Sequence, residues 1–221
     1  MSKKYKIKEI FGPTIEGEGG KAGAAVLFLR FSGCNRWSGR EIDRKKSVCY
    51  FCDTDFVGGE LLTAEKISNA LLNLSTDFYN VKNVVITGGE PLLQLDLELL
   101  VELKKHEFNI YLETNGSVKI KPEMRPLIDH VAISPKQPFG ETLQRECDDL
   151  KILFPFLKGV EPHKFSGMRA KNRFIQPIDG TPHLGENTED AIQYIFKYGT
   201  FEREENSYKL SVQIHKVINM P

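Results

Sequence analysis

Short apolar runs that each stop at a polar tetrad bearing Gly, Pro or Asn constrain this chain's fold more than any other feature. Residues 24–31 (Ala-Ala-Val-Leu-Phe-Leu-Arg-Phe) lead into a cysteine-bearing loop. Residues 83–86 lead into Thr87-Gly88-Gly89-Glu90-Pro91 and 108–112 into Glu113-Thr114-Asn115-Gly116. Residues 130–133 lead into Ser134-Pro135-Lys136 and 173–175 into Gln176-Pro177-Ile178-Asp179. Runs this short and continuous suit strands covered on both faces. Parallel α/β folds hold their ligands at the carboxyl ends of the strands, so the tetrads predict one functional rim. Residues 150–154 predict a further strand, 5–11 a short edge strand, and 208–214 a final one.

Helices are fewer. Thr63 is an N-cap ahead of Ile67, Leu71 and Leu74 at helical spacing, and the Leu-rich stretch 92–105 reads as a second helix. Asn187, followed by Thr188, Glu189 and Asp190, starts a third. That is too few for a full eight-unit barrel, which takes about 250 residues. The expected fold is α/β: an incomplete TIM-like barrel of parallel strands, one domain over 1–221, with the cysteine loop after its first core strand.

Cys34, Cys49 and Cys52 share that loop, and Asp53, Thr54 and Asp55 follow at once. Thiolates select zinc, copper(I) or iron–sulfur clusters. A closed zinc site needs a fourth ligand, and no His lies between Ala22 and Phe56. An iron–sulfur cube usually takes four cysteines; held by three, it exposes one iron. The loop alone leaves an open cluster and a zinc site both standing. Cys49 and Cys52 are too close in sequence for a structural disulfide, and residues 1–20 carry no apolar stretch of secretory type, so a reducing compartment is expected. Cys147 reads as a buried, inert thiol.

Lys plus Arg equals Asp plus Glu at 30 each, so no net field draws nucleic acid or an anionic membrane. Arg44-Lys45-Lys46 and Lys3-Lys4 are short enough to be solvated faces. No apolar run approaches the length of a membrane span. A soluble cytoplasmic protein without nucleic-acid or membrane partners is expected. The glycine-dense stretch 12–20 is either a surface turn or a loop whose backbone approaches a ligand, with Glu16 and Glu18 as hydrogen-bond acceptors. It lacks the Gly-Lys-Ser/Thr of a phosphate loop. Arg30, inside an apolar run, needs a partner: a neighbouring carboxylate or that of a substrate. Thr87 and Ser134 are turn hydroxyls or ligand contacts, and His215 reads as a structural hydrogen-bonder.

A cysteine loop after the first barrel strand and a Gly-Gly-Glu-Pro turn after the second resemble the radical S-adenosylmethionine (SAM) superfamily. The fourteen residues between Cys34 and Cys49 narrow this. So do Phe-Gly-Pro-Thr-Ile-Glu-Gly-Glu-Gly, Phe-Ser-Gly-Cys-Asn-Arg-Trp-Ser-Gly, Cys-Asp-Thr-Asp-Phe, Glu-Thr-Asn-Gly, Ser-Pro-Lys and Leu-Ser-Val-Gln-Ile-His-Lys. Together, over residues 10–215, they resemble the 7-carboxy-7-deazaguanine synthase family. The resemblance implies a lyase that turns 6-carboxy-5,6,7,8-tetrahydropterin into 7-carboxy-7-deazaguanine with loss of ammonia, on the way to 7-deazapurines such as the queuosine base. Other readings are a radical SAM activase acting on a protein partner and a zinc-stabilised binding module.

The resemblance also implies residue roles. Cys34, Cys49 and Cys52 would bind a 4Fe–4S cluster whose fourth iron takes SAM, cleaved by one electron to the 5′-deoxyadenosyl radical. Phe51, Cys52, Asp53, Gly89, Glu90, Ser134, Pro135, Lys136, Gln176, Pro177, Ile178 and Asp179 would contact SAM, and Thr54 would bind Mg2+. Ile15, Glu16, Gly17, Arg30, Thr87 and the carboxylate of Pro221 would contact the pterin, with Glu16 and Glu18 suited to its N–H edge. An external electron donor such as flavodoxin and a homodimer are implied. Glu16 stands where the family pattern leads one to expect Gln, and Ile214 where it leads one to expect Thr.

Overall fold

Backbone pairing joins nine strands into one sheet in the computed structural model, which describes residues 2–178, 184–199 and 207–220. β1 (Lys4–Ile15) lies between β2 (Ala25–Phe31) and β3 (Glu60–Thr63), antiparallel to both. From β2 onward the pairing is parallel, through β4 (Asn83–Gly88), β5 (Asn109–Thr114), β6 (His130–Ile133), β7 (Glu146–Phe154), β8 (Arg169–Pro177) and β9 (Tyr208–Leu210). The order β3-β1-β2-β4-β5-β6-β7-β8-β9 does not close, so the barrel is partial, as expected.

Several boundaries differ from the sequence reading. The strand over 5–11 is longer and is not an edge, because β3 covers it. β3 escaped notice because four residues with Leu61 62% exposed carry no alternation. β7 starts four residues early, with Asp148 and Asp149 inside it. Adjacent aspartates suggest a turn, but here each has partners. Asp148 accepts from Val131 N–H at 2.8 Å and pairs with Lys171. Asp149 pairs with His130 at 3.0 Å and accepts from the Gly20 N–H and the Asn172 amide. The strand over 208–214 stops at Leu210, and Ile214 opens a helical turn instead.

Side-chain alternation separates two faces. Val84 and Ile86, Ile110 and Leu112, Leu150 and Ile152 belong to the main core. Helix α1 (Glu41–Arg44) is a single turn within the cysteine loop. Helix α2 (Ala64–Phe78) starts at Thr63, whose hydroxyl accepts from Lys66 N–H, and buries Ile67 and Leu71 completely. The run over 92–105 is not one helix. Pro91–Leu93 forms a 3-10 turn, and Asp96 restarts the chain as α3 (Leu97–Lys105), which buries Leu99, Leu100 and Leu103. Helix α4 (Leu184–Tyr194) begins before Asn187, and α5 (Ile214–Val217) is the last turn. The opposite strand face carries Tyr111, Glu113, Ala132, Asp149 and Lys151 around a small inner cavity. Charge therefore lines the inside of the half-barrel, and apolar groups line the outside under the helices. No helix among the described residues is long and apolar enough to cross a membrane.

Asp96 joins helix to strand: its Oδ1 caps Leu99 N–H at 3.2 Å and accepts from the Tyr5 hydroxyl at 2.7 Å. Asp96→Ala removes a cap and a half-buried acceptor together, and should cost about 1–3 kcal/mol, read as a lower urea midpoint with an unchanged slope.

Candidate active site

The cysteine loop folds on a small apolar nucleus of its own. Trp37 and Phe56 meet edge to face with centroids 5.6 Å apart, and with Cys49 they form a buried cluster against which Cys34 and Cys52 pack. Arg44 closes the insert. Its guanidinium lies 4.2 Å from the Trp37 ring centre and donates to the carbonyls of Tyr50 and Cys52 at 2.9 Å each, while pairing with Glu41. The Gly-Gly-Glu-Pro turn lies directly against this loop. A Cβ on Gly89 would fall 2.1 Å from the Gly33 carbonyl oxygen and 2.8 Å from Cys34 Cβ, so only glycine allows the approach.

Cys34, Cys49 and Cys52 open on one cavity of about 210 Å³. Its other walls include Phe51, Asp53, Gly89, Ser134, Lys136, Gln176, Pro177 and Ile178, each expected near the cofactor. Lys136 Nζ donates to the Ser134 hydroxyl at 2.6 Å and to its carbonyl at 2.8 Å. Burial pulls the Lys136 ammonium below the ordinary lysine value. Two expected contacts do not line the cavity. Pro135 is buried. Glu90 is 0% exposed, and its carboxylate accepts from Thr114 Oγ1 at 2.8 Å, Asn115 N–H at 2.8 Å and Leu92 N–H at 3.1 Å. Glu90 thus ties the turn after β4 to the turn after β5. Asp179 and Pro221 lie outside the described residues.

A second cavity, of about 220 Å³, adjoins the first and is lined by Ile15, Glu16, Glu18, Arg30, Thr87 and His215 among others. Gly17 does not line it; a Cβ there would fall 1.9 Å from His215 Nδ1, so Gly17 lets α5 pack against the loop after β1. Ile214 N–H donates to the Gly17 carbonyl at 3.0 Å. Arg30 Nη1 pairs with Glu9 at 2.6 Å, while its buried Nε has no partner among the described residues.

Three groups at the centre of the site were not singled out from sequence. Lys151 Nζ donates to Glu18 at 2.5 Å and to Glu113 at 2.7 Å. Glu113 also accepts from the Thr87 hydroxyl at 2.9 Å, and the Gln213 amide donates to Glu18 at 2.9 Å. Burial works against the charge on Glu18, but Lys151 outweighs it and holds the carboxyl down at about 2. Burial would likewise discharge Lys151, yet Glu113 and Glu18, both in direct contact with it, keep its ammonium charged.

The donor set fits an open iron–sulfur cluster. All four cysteines are free thiols, and Cys147 is buried in the main core rather than in the cysteine nucleus. Among the described residues, no three Cys, His, Asp or Glu side chains stand close enough to hold a single ion. Three thiols on one cavity, with the fourth cysteine in the main core, suit a cluster that leaves one iron open. Burial pushes the Cys49 thiol up to about 11; a metal that binds thiolate supplies the compensating charge.

Replacing Lys151 with Met should leave two half-buried carboxylates uncompensated. A loss of about 3–5 kcal/mol is expected, as for breaking a buried pair from one side, measured by urea unfolding at neutral pH. Lowering the pH from about 4.5 towards 2 should weaken the wild-type chain, as Glu18 loses a charge that only the folded state favours.

A model of the Radical SAM superfamily matches residues 44–148. A Caulobacter vibrioides protein named 7-carboxy-7-deazaguanine synthase is 40% identical over 98% of this chain and 99% of its own length. Proteins of that name from Bradyrhizobium diazoefficiens and Bordetella pertussis are each 38% identical, again over 98% of this chain and 99% of theirs. The crystal structure of QueE from Escherichia coli shares the fold, with a TM-score of 0.65 at 22% identity over 95% of this chain and 94% of that one. The cysteine cavity, the half-barrel and these near full-length likenesses agree: the chain belongs to the 7-carboxy-7-deazaguanine synthase family of the radical SAM superfamily.

Proposed function

We propose that the chain is a radical SAM lyase that converts 6-carboxy-5,6,7,8-tetrahydropterin to 7-carboxy-7-deazaguanine with loss of ammonia. One observation carries the reading. The cysteine cavity and the charged cavity share a wall made by Glu18, Asp53, Thr54, Thr87, Glu113 and Gln213. A reactive species made in the first would need no passage through water to reach a ligand in the second.

Cys34, Cys49 and Cys52 would hold the 4Fe–4S cluster, which would supply one-electron reducing chemistry to bound SAM. Lys136, Ser134 and Gln176 offer donors across the cavity from the thiols. Arg30, on the wall of the outer cavity, would take the pterin carboxylate with its flat guanidinium fork. Glu16, Glu18 and Glu113 would face the polar edge of the ring. Thr54 lies beside both cavities and would give Mg2+ one hard oxygen, with water and substrate oxygens completing its shell. An external one-electron donor such as flavodoxin, and a homodimer, complete the proposed working state.

Protein purified without oxygen should be brown and carry about four irons and four sulfides per chain. With SAM, magnesium, reductant and the carboxypterin it should release 7-carboxy-7-deazaguanine and ammonia. Cys34→Ala should remain folded by circular dichroism while losing cluster and turnover. A colourless protein with one tightly held zinc, unfolded by the same substitution, would overturn the reading.

A further inference from the structure

Three carboxylates crowd one lysine beneath the outer cavity, and the lysine serves two of them. The ammonium of Lys151 is committed to Glu18 and Glu113. Glu16 is 5% exposed, and among the described residues its carboxyl accepts only from Glu18 N–H, through Oε1, at 2.9 Å. It lines the outer cavity and the small inner one alike. Lys151 favours the charge on Glu16, but that ammonium is committed to the other two carboxylates, and a carboxyl taken out of water beside two charged neighbours keeps its proton. Burial first, and Glu113 next, raise it to about 8.

The remaining charges around it do not alter this balance. On the inner side Lys21 stands 4.8 Å from the Tyr111 ring centre, and His130 pairs with Asp149. On the outer side Arg30 pairs with Glu9 and Lys216 with Asp53, while His215 packs on Gly17. Each cation near Glu16 already faces another anion or a ring.

We propose that Glu16 is a specificity-determining residue that meets the substrate as a neutral carboxylic acid, donating its O–H to a ring nitrogen or carbonyl oxygen while its other oxygen keeps the Glu18 N–H. It then acts as an amide side chain would, and favours a ligand that presents an acceptor at that point. This rests on the reading of the outer cavity as the substrate chamber, and its test has one arm that does not.

In the first arm, unfolding of wild type and Glu16→Gln is compared between pH 5 and 9 without ligand. A proton held up to about 8 in the folded chain is released near 4.5 when the chain unfolds. Wild type should therefore lose stability relative to the variant as pH rises through that window, and the gap should level off above it. A gap that stays flat overturns the neutral acid, whether or not any pterin binds. In the second arm, carboxypterin affinity is measured on protein loaded with cluster and SAM. Wild-type affinity should fall roughly tenfold per pH unit above about 8, Glu16→Gln should hold its affinity across the range, and Glu16→Leu should bind weakly throughout. Wild-type affinity no more pH-dependent than that of Glu16→Gln, with the Gln variant weaker everywhere, overturns the donor role. Absence of pterin binding at every pH overturns the proposed substrate and the donor role together, whereas a widening stability gap still supports the neutral acid.

Discussion

Lys151 is the charge on which the inner face of this half-barrel depends. An ammonium at 4% exposure is costly to remove from water, and its partners offset that cost only if they reach it with good geometry. Glu113 does so across an intervening strand. In register, Glu113 of β5 lies opposite Ala132 of β6, and Ala132 lies opposite Asp149 of β7. A residue larger than alanine at 132 would stand between β7 and β5. With Ala132 there, Lys151 bridges two strands that do not pair. Glu18 arrives from the other direction, on the loop after β1, and so one lysine fixes the position of both the loop and the rim.

That loop also meets the far end of the sheet. Among the described residues β9 and β1 share no backbone ladder, yet Ser211 accepts from Gly19 N–H and donates to Gln176, Gln213 donates to Glu18, and Ile214 N–H reaches the Gly17 carbonyl. The open side of the barrel is thus bridged by side chains and single backbone bonds rather than by another strand. Such a bridge leaves room for a cavity where a closed barrel would pack side chains, because no ladder forces the two ends to approach at strand spacing.

What the sequence disclosed and what it hid follow from the kind of physics involved. The rim was legible because polar tetrads after apolar runs are backbone-scale punctuation, and the thiol loop because cysteine spacing has few uses. Arg30 stood out as a charge within an apolar run. Lys151 carries the same signal, between Leu150 and Ile152, but its partners Glu18 and Glu113 are distant in sequence and nothing local names them. Glu113 and Gln213 were visible inside motifs but acquire their place only through Lys151 and Glu18, which are distant in sequence. The start of β7 was hidden for a related reason: two adjacent aspartates are strand residues only once His130, Lys171 and Gly20 are present to satisfy them.

Glu90 shows how a motif residue is engaged by the fold itself. Its carboxylate is buried, burial raises its proton affinity, and three donors from two turns converge on it. A side chain so fully engaged has little left to offer a cofactor. Its contribution to chemistry is positional: with the turn after β5 locked to the turn after β4, Gly89 is held against Gly33 and Cys34, and the cysteine loop inherits the rigidity of the parallel sheet. The thiols ride on an insert whose nucleus holds two aromatic groups, Trp37 and Phe56, and the approach of Gly89 to Gly33 and Cys34 joins that insert to the β4 turn.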